Sequence, residues 1–283
     1  MRYFLIVFVF LFFQISILHA ENENPFFVAL KGRYMPASDA KGQSGDITMG
    51  KIGLRIGYKK EAEDGKMFYA TIGPDHYIVD DNTAANIPSD IKSRGIRIGK
   101  DFDLPLVEDN RYLFGLELNP TFQSANDVSF NGDAFRFKFS PTIKFKGENG
   151  FEWVVGANIR PEFDFVAVPI FGVNYHVNDK LFINLVSDAP NISYALTEKT
   201  KAKIEFDYTL DEFEVTKGSR DGAMVSLQDF ATGLALEHSF TKNINASVGV
   251  GGVFNRILKF EDGTGKAVLD NGIYAGLKVN AAF

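Results

Sequence analysis

The sequence predicts an all-β protein, a transmembrane antiparallel up-and-down β-barrel of about 14 strands, with about 12 strands as the alternative. Long segments alternate apolar and polar residues with the period of two that is typical of strands. Turn residues separate these segments regularly, and short connections alternate with long ones. Beyond the N-terminal segment, no apolar run approaches the roughly 18 residues of a spanning helix. A closed barrel is then the remaining way to satisfy every backbone group in lipid.

The N-terminal segment has the layout of a cleaved secretory signal. Arg2 precedes an apolar run over residues 4–13, and the small residue Ala20 stands just before a polar stretch. A retained transmembrane helix is the alternative for so apolar a run. We expect a signal peptide over residues 1–20 and a single barrel domain over residues 21–283.

Composition limits the possible partners and chemistry. The formal net charge is -6, and it becomes -7 once the signal and its one charged residue, Arg2, are removed. A chain of this charge has no overall attraction for nucleic acid, so we expect no nucleic-acid partner. Cysteine is absent, which leaves neither disulfides nor thiol chemistry.

Seven segments show the strand alternation clearly, and we assign the apolar face of each to lipid. The clearest case alternates Phe135, Phe137 and Phe139 with Arg136 and Lys138. In chain order the seven segments are 51–59, 96–102, 112–119, 135–145, 151–160, 202–208 and 244–254. Aromatic residues at strand ends match the interfacial girdles of membrane barrels.

The strand number depends on the less regular middle of the chain. Residues 151–177 are weakly divided between two faces, and residues 181–187 and 191–196 form only short pieces. If residues 181–196 are irregular, the count falls from about 14 to about 12.

Connection lengths predict the topology. Short connections are expected at 61–65, 107–110, 146–150, 178–180, 197–200 and 241–243. Long ones are expected at 37–46, 79–92, 123–132, 211–222 and 258–270. Brief periplasmic turns and longer external loops are typical of outer-membrane barrels, so we expect both termini on the periplasmic side.

The C-terminal segment alternates as well, and it ends on an aromatic residue. Ile273, Leu277, Val279 and Phe283 share one face, and Lys278 lies on the other. A chain that ends on such a strand resembles the bacterial outer-membrane β-barrel proteins. The resemblance implies residence in the outer membrane of a Gram-negative cell, in contact with its lipid and lipopolysaccharide. It also implies that Phe283 belongs to the signal that the barrel-assembly machinery reads.

A more specific family is not indicated. Long-chain fatty-acid transporters also have about 14 strands, but they carry an N-terminal hatch that fills the barrel. Here only residues 21–25 stand between the predicted signal and the first strand, so we expect no hatch. No motif in the sequence matches one of that family, so no functional residue carries over.

With apolar faces toward lipid, the lumen receives charges of both signs. Basic side chains come mostly from the first half of the chain and acidic ones from the second half, which places a basic wall opposite an acidic wall. We expect Arg55, Arg136 and Lys138 to face Glu205 and Asp207. The full set of candidate lumen and selectivity residues is Lys51, Arg55, Arg97, Arg136, Lys138, Lys144, Glu152, Glu205 and Asp207.

Two functions fit these opposed charges equally well. The first is a porin-like channel for passive diffusion of small polar solutes, because opposed charges orient such solutes and exclude apolar ones. The second is a closed structural or surface-interaction barrel that acts through its external loops, because unpaired buried charges are costly and the pairs would seal a narrow lumen. We take the channel as the first expectation.

A lipid-modifying membrane enzyme is the third and least favoured class. Such enzymes place a His and a Ser two residues apart on one strand face, so that the imidazole reaches the hydroxyl. His76, His176 and His238 are not followed by Ser at that spacing. The acidic residues Asp80, Asp81 and Asp90 could bind a divalent ion through their oxygen atoms, but their spacing matches no calcium-loop motif, and exposed Asp in a loop is usually only solvated. We therefore expect no enzymatic activity, no cofactor and no metal.

Overall fold

The computed structural model describes residues 25–104, 111–147, 151–185, 190–218 and 220–283. The predicted signal peptide and the predicted turn at 107–110 lie outside the described residues. Among the described residues, no helix is both long enough and apolar enough to cross a membrane.

The described chain folds into a single sheet of 15 strands. In chain order they are β1 (Phe26–Asp39), β2 (Asp46–Glu61), β3 (Met67–Asp81), β4 (Asp90–Asp103), β5 (Tyr112–Ala125), β6 (Phe135–Lys146), β7 (Glu152–Ile159), β8 (Ala167–His176), β9 (Leu181–Asn184), β10 (Asn191–Ala195), β11 (Thr200–Val215), β12 (Met224–Ser239), β13 (Ile244–Phe260), β14 (Lys266–Val268) and β15 (Gly272–Ala282).

The wall of the barrel contains 14 of these strands, and every neighbour in it is antiparallel. The strands β1 to β13 follow one another around the wall, and β15 closes it by pairing with both β13 and β1. The three-residue strand β14 pairs only with the end of β13. The predicted barrel and its 14 strands are confirmed. The alternative of 12 strands is wrong, because β9 and β10 pair with each other and with the wall on both sides.

The apolar faces that the alternation assigned to lipid point outward. Apolar side chains are exposed on the outside of almost every wall strand, including Ile56, Ile72, Ile98, Ile143, Phe171, Ile204, Leu234, Val250 and Ile273. A soluble monomer rarely exposes an apolar belt of this extent, whereas a bilayer would cover it.

The two ends of the barrel differ. The end where β1 begins and β15 finishes is here called the terminal end, and there the amide of Phe283 donates to the carbonyl of Phe26 at 2.8 Å. The described connections at this end are short, at 62–66, 177–180, 196–199 and 240–243. The opposite end is called the loop end, and its connections include 82–89, 126–134, 160–166, 216–223 and 261–271. The predicted alternation of short and long connections is therefore present.

At the loop end the barrel is divided by a contact between strands that are far apart in the wall. The last residues of β11 pair in parallel with the end of β5, with Glu214 opposite Ser124 and Val215 opposite Ala125. The amide of Thr216 then donates to the carbonyl of Ala125 at 3.1 Å. Strands β1–β5 and β11–β15 thereby close around a core of their own, and strands β6–β10 form a separate side of the barrel.

Candidate functional site

The lumen changes from charged to apolar along the barrel axis. On β2, Ile47, Met49, Lys51 and Arg55 all lie on the face that points inward, because their positions differ by even numbers. Ile47 and Met49, toward the loop end, are completely buried. The inward face of β11 also changes from charged to apolar. Asp207 lies toward the terminal end, and the buried Phe213 and Val215 lie toward the loop end. The lumen therefore has an apolar layer above a charged layer.

The apolar layer is a packed core rather than a pore lining. Its largest fully buried apolar side chains are Met35, Ile47, Met49, Tyr77, Ile91, Phe213, Leu227, Leu258 and Leu269. The ring of Tyr77 meets that of Phe213 edge-on at 5.9 Å between centroids. This core was not predicted from the sequence, although Ile47 and Met49 stand on the inward face of β2 and could have indicated it.

The charged layer is bridged across the lumen. Lys31 of β1 reaches Asp207 of β11, with 2.6 Å from Nζ to Oδ2. Arg33 contacts the same carboxylate and lies 3.7 Å from Asp229 of β12. Between β15 and β11, Lys278 binds Glu205 at 2.8 Å. These pairs join strands that are not neighbours in the wall.

Most of the other predicted lumen residues bind close to their own strand. Arg55 pairs with the carboxylate of Asp75 on the adjacent strand β3. The ammonium of Lys51 lies 4.7 Å from the centre of the Tyr77 ring. Three further predicted lumen residues also have partners on nearby strands. Arg97 lies 3.5 Å from Glu117, and Lys144 binds Asp101 at 2.7 Å. Glu152 stands opposite Lys146 in the β6–β7 register.

The structure pairs the predicted opposing residues differently from our expectation. Lys138 binds Asp211 at 2.6 Å rather than Glu205 or Asp207. The buried Arg136 donates from Nη1 to the carbonyls of Asp133 and Phe135, both at 2.7 Å. Of the basic side chains, Lys31, Arg33 and Lys138 contact carboxylates of β11, whereas Arg55 binds Asp75 on the adjacent strand.

The connection between β7 and β8, residues 160–166, turns inward and is here called the inner loop. Its first residue, Arg160, is buried and donates from Nη1 to the carbonyl of Leu210 on β11 at 2.6 Å. The other guanidinium nitrogens of Arg160 bind the carbonyl of Phe165 at 3.1 and 3.0 Å. The amide of Asp164 donates to Glu212 of β11 at 3.0 Å. The inner loop is therefore fastened to β11 on the far side of the β6–β10 lumen.

Phe163 is the part of the inner loop that fills the lumen. Its ring is buried between two cations, with Lys138 at 4.7 Å and Arg160 at 4.6 Å from the ring centre. Lys138 is in turn held by Asp211. Ring and cations attract one another because the faces of aromatic rings are electronegative. Arg160 and Phe163 were not predicted as lumen residues, because the composition of a loop does not reveal that it folds inward.

Three carboxylates meet where the inner loop touches the barrel. Oxygen atoms of Asp164, Glu212 and Glu261 lie within 4.8 Å of one another. Lys259 binds Asp164 at 3.1 Å from the other side. Burial raises the pKa of Glu261, and the nearby Asp164 carboxylate raises it further. Like charges this close favour sharing a proton.

We expect docking of the inner loop to weaken as pH rises from acidic toward neutral. A carboxyl with a raised pKa stabilises the docked state while it is protonated, and that contribution is lost as pH rises through the raised pKa. An environment-sensitive dye on Pro161→Cys should report this loss, and Glu261→Gln should flatten the pH profile. Asp262→Asn is the matched control, because hydrogen bonds from Thr264 lower the pKa of Asp262. A profile unchanged by Glu261→Gln would contradict the assignment.

The other predicted candidates have structural partners. Asp81 accepts the amides of Thr83 and Ile87 at 2.7 and 2.6 Å, so it organises its own loop. Asp90 contacts His76 and Lys92.

The remaining histidines lie toward the terminal end. His176 stacks on Phe182 with 4.3 Å between ring centres. His238 shares a hydrogen bond of 3.0 Å with Thr200 of the neighbouring strand, where both are exposed.

Several solved membrane barrels are similar in structure to this chain. The COG4313 outer membrane channel from Pseudomonas putida F1 matches 95% of this chain and 98% of its own at 12% identity, with a TM-score of 0.49. A FadL homologue from Pseudomonas aeruginosa matches 92% and 90% at 10% identity, with a TM-score of 0.45. LpxR from Salmonella typhimurium matches 91% and 100% at 11% identity, with a TM-score of 0.43.

Sequence comparison gives one family. No curated protein matches the chain in sequence. A family model does match residues 139–283, which is the half of the chain from β6 onward and includes the inner loop and β11. The chain belongs to the family described as "Domain of unknown function (DUF6268)".

Proposed function

We propose that this protein is a porin-like channel of the bacterial outer membrane, closed in the present state by its inner loop, through which small polar solutes diffuse. The observation that carries the proposal is how the β6–β10 side is closed. Among the residues that the structure describes there, the obstruction is a loop held by side-chain contacts of Arg160 and Phe163, rather than a wall strand or a packed core.

The difference between the two sides supports a passage next to β6–β10. Opening a route between strands β1–β5 and β11–β15 would break a close-packed core, and such cores do not deform gradually. Moving the inner loop breaks a few hydrogen bonds and removes one ring from the lumen. Moving the inner loop costs far less free energy than breaking the core, so we take the inner loop as the gate.

The lining of the lumen favours polar solutes. Lys138, Asp211, Lys31 and Asp207 line it from opposite strands. Once the inner loop has moved, Lys138 loses its contact with the Phe163 ring and Asp211 is open to solutes. Opposed charges of this kind orient dipolar solutes and raise the local concentration of ions.

The apolar outer surface of the wall supports a location for the protein and the partners that it contacts there. The exposed apolar residues on the outside of the wall would contact outer-membrane lipid, with lipopolysaccharide on the outer side. We propose that the terminal end faces the periplasm and that the C-terminal strand with Phe283 is read by the barrel-assembly machinery. We propose no chemical reaction and no cofactor for this function.

The test is single-channel conductance of the refolded protein in planar lipid bilayers. Arg160→Ala removes the bonds that fasten the inner loop, so we expect longer and more frequent openings than in the original protein. Arg220→Ala is the matched control. Arg220 also binds two backbone carbonyls, those of Ala85 and Thr264, and lies 3.9 Å from the Phe260 ring, but on the side of the apolar core. Its loss should leave conductance unchanged.

A second candidate is a closed barrel that acts through its external loops, and the packed apolar layer favours it. If the original protein, Arg160→Ala and Phe163→Ala are all inserted, folded and electrically silent, the channel proposal fails and this candidate replaces it.

A further inference from the structure

The outward face of β4 carries an arginine that pairs with no described residue. Residues with even numbers point outward on this strand, because Ile91 is buried in the core whereas Ile96 and Ile98 are exposed. Arg94 belongs to this outward set and is half-buried. Within the part of the chain that the structure describes, its guanidinium forms no ion pair and no hydrogen bond. A cation on the lipid side of the wall is therefore left available to a partner from outside the chain.

The side chains around Arg94 explain why no residue of the barrel pairs with it. Pro74 of β3 and Phe122 of β5 stand directly opposite it in the two strand registers. The next nearest side chains on the same face lie two positions further along each neighbouring strand. They are Ile72 and His76 on β3 and Pro120 and Ser124 on β5. None of these neighbours is acidic, so the wall itself offers Arg94 no counter-charge.

Asp90 is the acidic residue of this face of β4 on the loop side of Arg94, and it already has partners. Its carboxylate contacts both His76 and Lys92. The ammonium of Lys92 also donates to the carbonyl of Asn126 at 3.3 Å. Because an ammonium has three donors, Lys92 keeps one N–H beyond these two contacts. Arg94 and Lys92 are two positions apart, about 7 Å along the strand, so they present free donors side by side.

The position of Arg94 along β4 places it near the border of the apolar belt. It lies eight residues from Phe102, whose ring meets that of Phe114 at 6.4 Å near the terminal end. A strand advances about 3.3 Å per residue and tilts by about 40° in a membrane barrel, so these eight residues cover about 20 Å along the barrel axis. The apolar band of such barrels is about 25 Å tall. The long side chain of Arg94 therefore reaches the lipid headgroups at the loop end.

The surface next to Arg94 is apolar and aromatic. The exposed isoleucines on the terminal side of it are Ile72, Ile96 and Ile98. On the β5 side, the ring of Phe122 meets the rings of Phe130 and Phe135 edge-on at 5.2 and 5.4 Å. Phe130 belongs to the connection 126–134 and is exposed, so this connection folds back onto the outer surface of the wall. The whole surface fits a molecule with an anionic head and hydrocarbon chains below it.

We propose that Arg94 and Lys92 bind a phosphate group of lipopolysaccharide on the outer surface of the barrel. The planar donors of an arginine match two oxygens of a phosphate, and the ammonium of Lys92 takes another. The hydrocarbon chains of the lipid lie along the exposed isoleucines and beside Phe122. The inference rests on the outer-membrane location and orientation proposed above, which place the loop end in the lipopolysaccharide leaflet, and it does not require the lumen to open.

The test is native mass spectrometry of the refolded protein in detergent, titrated with diphosphoryl lipid A, the membrane anchor of lipopolysaccharide. Arg94→Gln should raise the Kd of the first bound lipid about tenfold, as expected for the loss of a charge-assisted hydrogen bond. Arg94→Lys should lose less, because it keeps the charge. Migration on an unheated gel shows that each variant is folded.

Lys100→Gln is the matched control. Lys100 lies on the same outward face of the same strand, but near the terminal end, where its ammonium is 5.2 Å from the Phe102 ring. Its loss should leave the Kd for lipid A unchanged. An unchanged Kd for Arg94→Gln, or equal losses for Arg94→Gln and Lys100→Gln, would overturn the proposal.

Two further lipids identify the group that is bound. Lipid A from which both phosphates have been removed should bind about tenfold more weakly than diphosphoryl lipid A, and Arg94→Gln should not weaken it further. If the phosphate-free lipid binds as tightly as lipid A, the apolar belt alone holds it and the site falls. Phosphatidylglycerol that binds as tightly as lipid A, with the same loss in Arg94→Gln, would replace lipopolysaccharide by a general phospholipid.

Conductance separates this inference from the proposed channel. Arg94 lies on the outside of the wall, so Arg94→Gln should change neither the conductance of the original protein nor that of Arg160→Ala. If Arg160→Ala is silent while lipid A binding still depends on Arg94, the channel falls and the lipid site stands. If Arg160→Ala conducts and lipid A binding is indifferent to Arg94, the channel stands and the lipid site falls.

Discussion

Phe213→Ala is expected to lower the free energy of unfolding by about 3–5 kcal/mol, the usual cost of removing a buried phenylalanine ring from a packed core. Phe213 is 0% exposed and lies against Tyr77 at the centre of the apolar layer. The strand contact between β5 and β11 is formed by the residues that follow it. A cavity at this position would therefore weaken both the core and the division of the barrel.

The measurement is urea unfolding in lipid vesicles, followed by the fluorescence of Trp153, the single tryptophan of the chain. Phe171→Ala is the matched control, because it removes the same ring from a side chain that points outward from β8. In a bilayer, Phe171→Ala should lower the free energy of unfolding clearly less than Phe213→Ala does. Equal losses for the two variants would mean that the apolar layer is not the packed core described above.

The barrel was predictable because it depends on local patterns. Segments such as 135–145 alternate so regularly that strand type, facing and approximate length follow from the residues themselves. The alternation of short and long connections then orders the strands around the wall. Neither inference requires knowledge of which distant residues meet.

The apolar layer was not predicted because it depends on distance along the axis. Ile47 and Met49 share a face with Lys51, and alternation reports only the face, not the height in the barrel. The contact between β5 and β11 joins Ala125 to Val215, which no local pattern connects. What could have been noticed is that on the inward face of β2 the apolar Ile47 and Met49 stand together at the loop end, whereas Lys51 and Arg55 follow them toward the terminal end.

The inner loop was not predicted for a related reason. Residues 160–166 contain a proline and charged residues, as any surface loop does. Their inward fold is decided by the carbonyl of Leu210 and the carboxylate of Glu212, far away in sequence. The exact charge pairs were not predictable either, because alternation gives the face of a residue and not its height in the barrel, and Lys138 meets Asp211 instead of Asp207.

The two sides of the barrel have complementary roles in the function that we propose. The core around Phe213 holds strands β1–β5 and β11–β15 together, so β11 is fixed by this core. The inner loop is fastened to β11 but is continuous with β7 and β8, which lie outside the core. A movable loop can act as a gate only if the surface it closes against is fixed, and the apolar layer provides that fixed surface.

Asp207→Asn is the second change for which we expect a large loss of stability. The carboxylate of Asp207 is shared by Lys31 and Arg33, and the guanidinium of Arg33 is almost completely buried. Removing one partner of a buried ion pair leaves the other charge without compensation, at a typical cost of about 3–5 kcal/mol. Asp103→Asn is the control, because its pair with Lys66 is exposed and such pairs contribute at most about 1 kcal/mol.

A double variant shows whether the loss of stability comes from the cations that Asp207→Asn leaves without a partner. Lys31→Met removes one of the two charges that Asp207 holds, and Arg33 keeps Asp229 at 3.7 Å as a second acid. Lys31→Met combined with Asp207→Asn should therefore recover part of the stability that Asp207→Asn loses, and the excess over additivity measures the coupling. If the two losses simply add, the charges are independently hydrated. In that case the lumen at this height holds enough water to be open, and the ion pairs do not seal it.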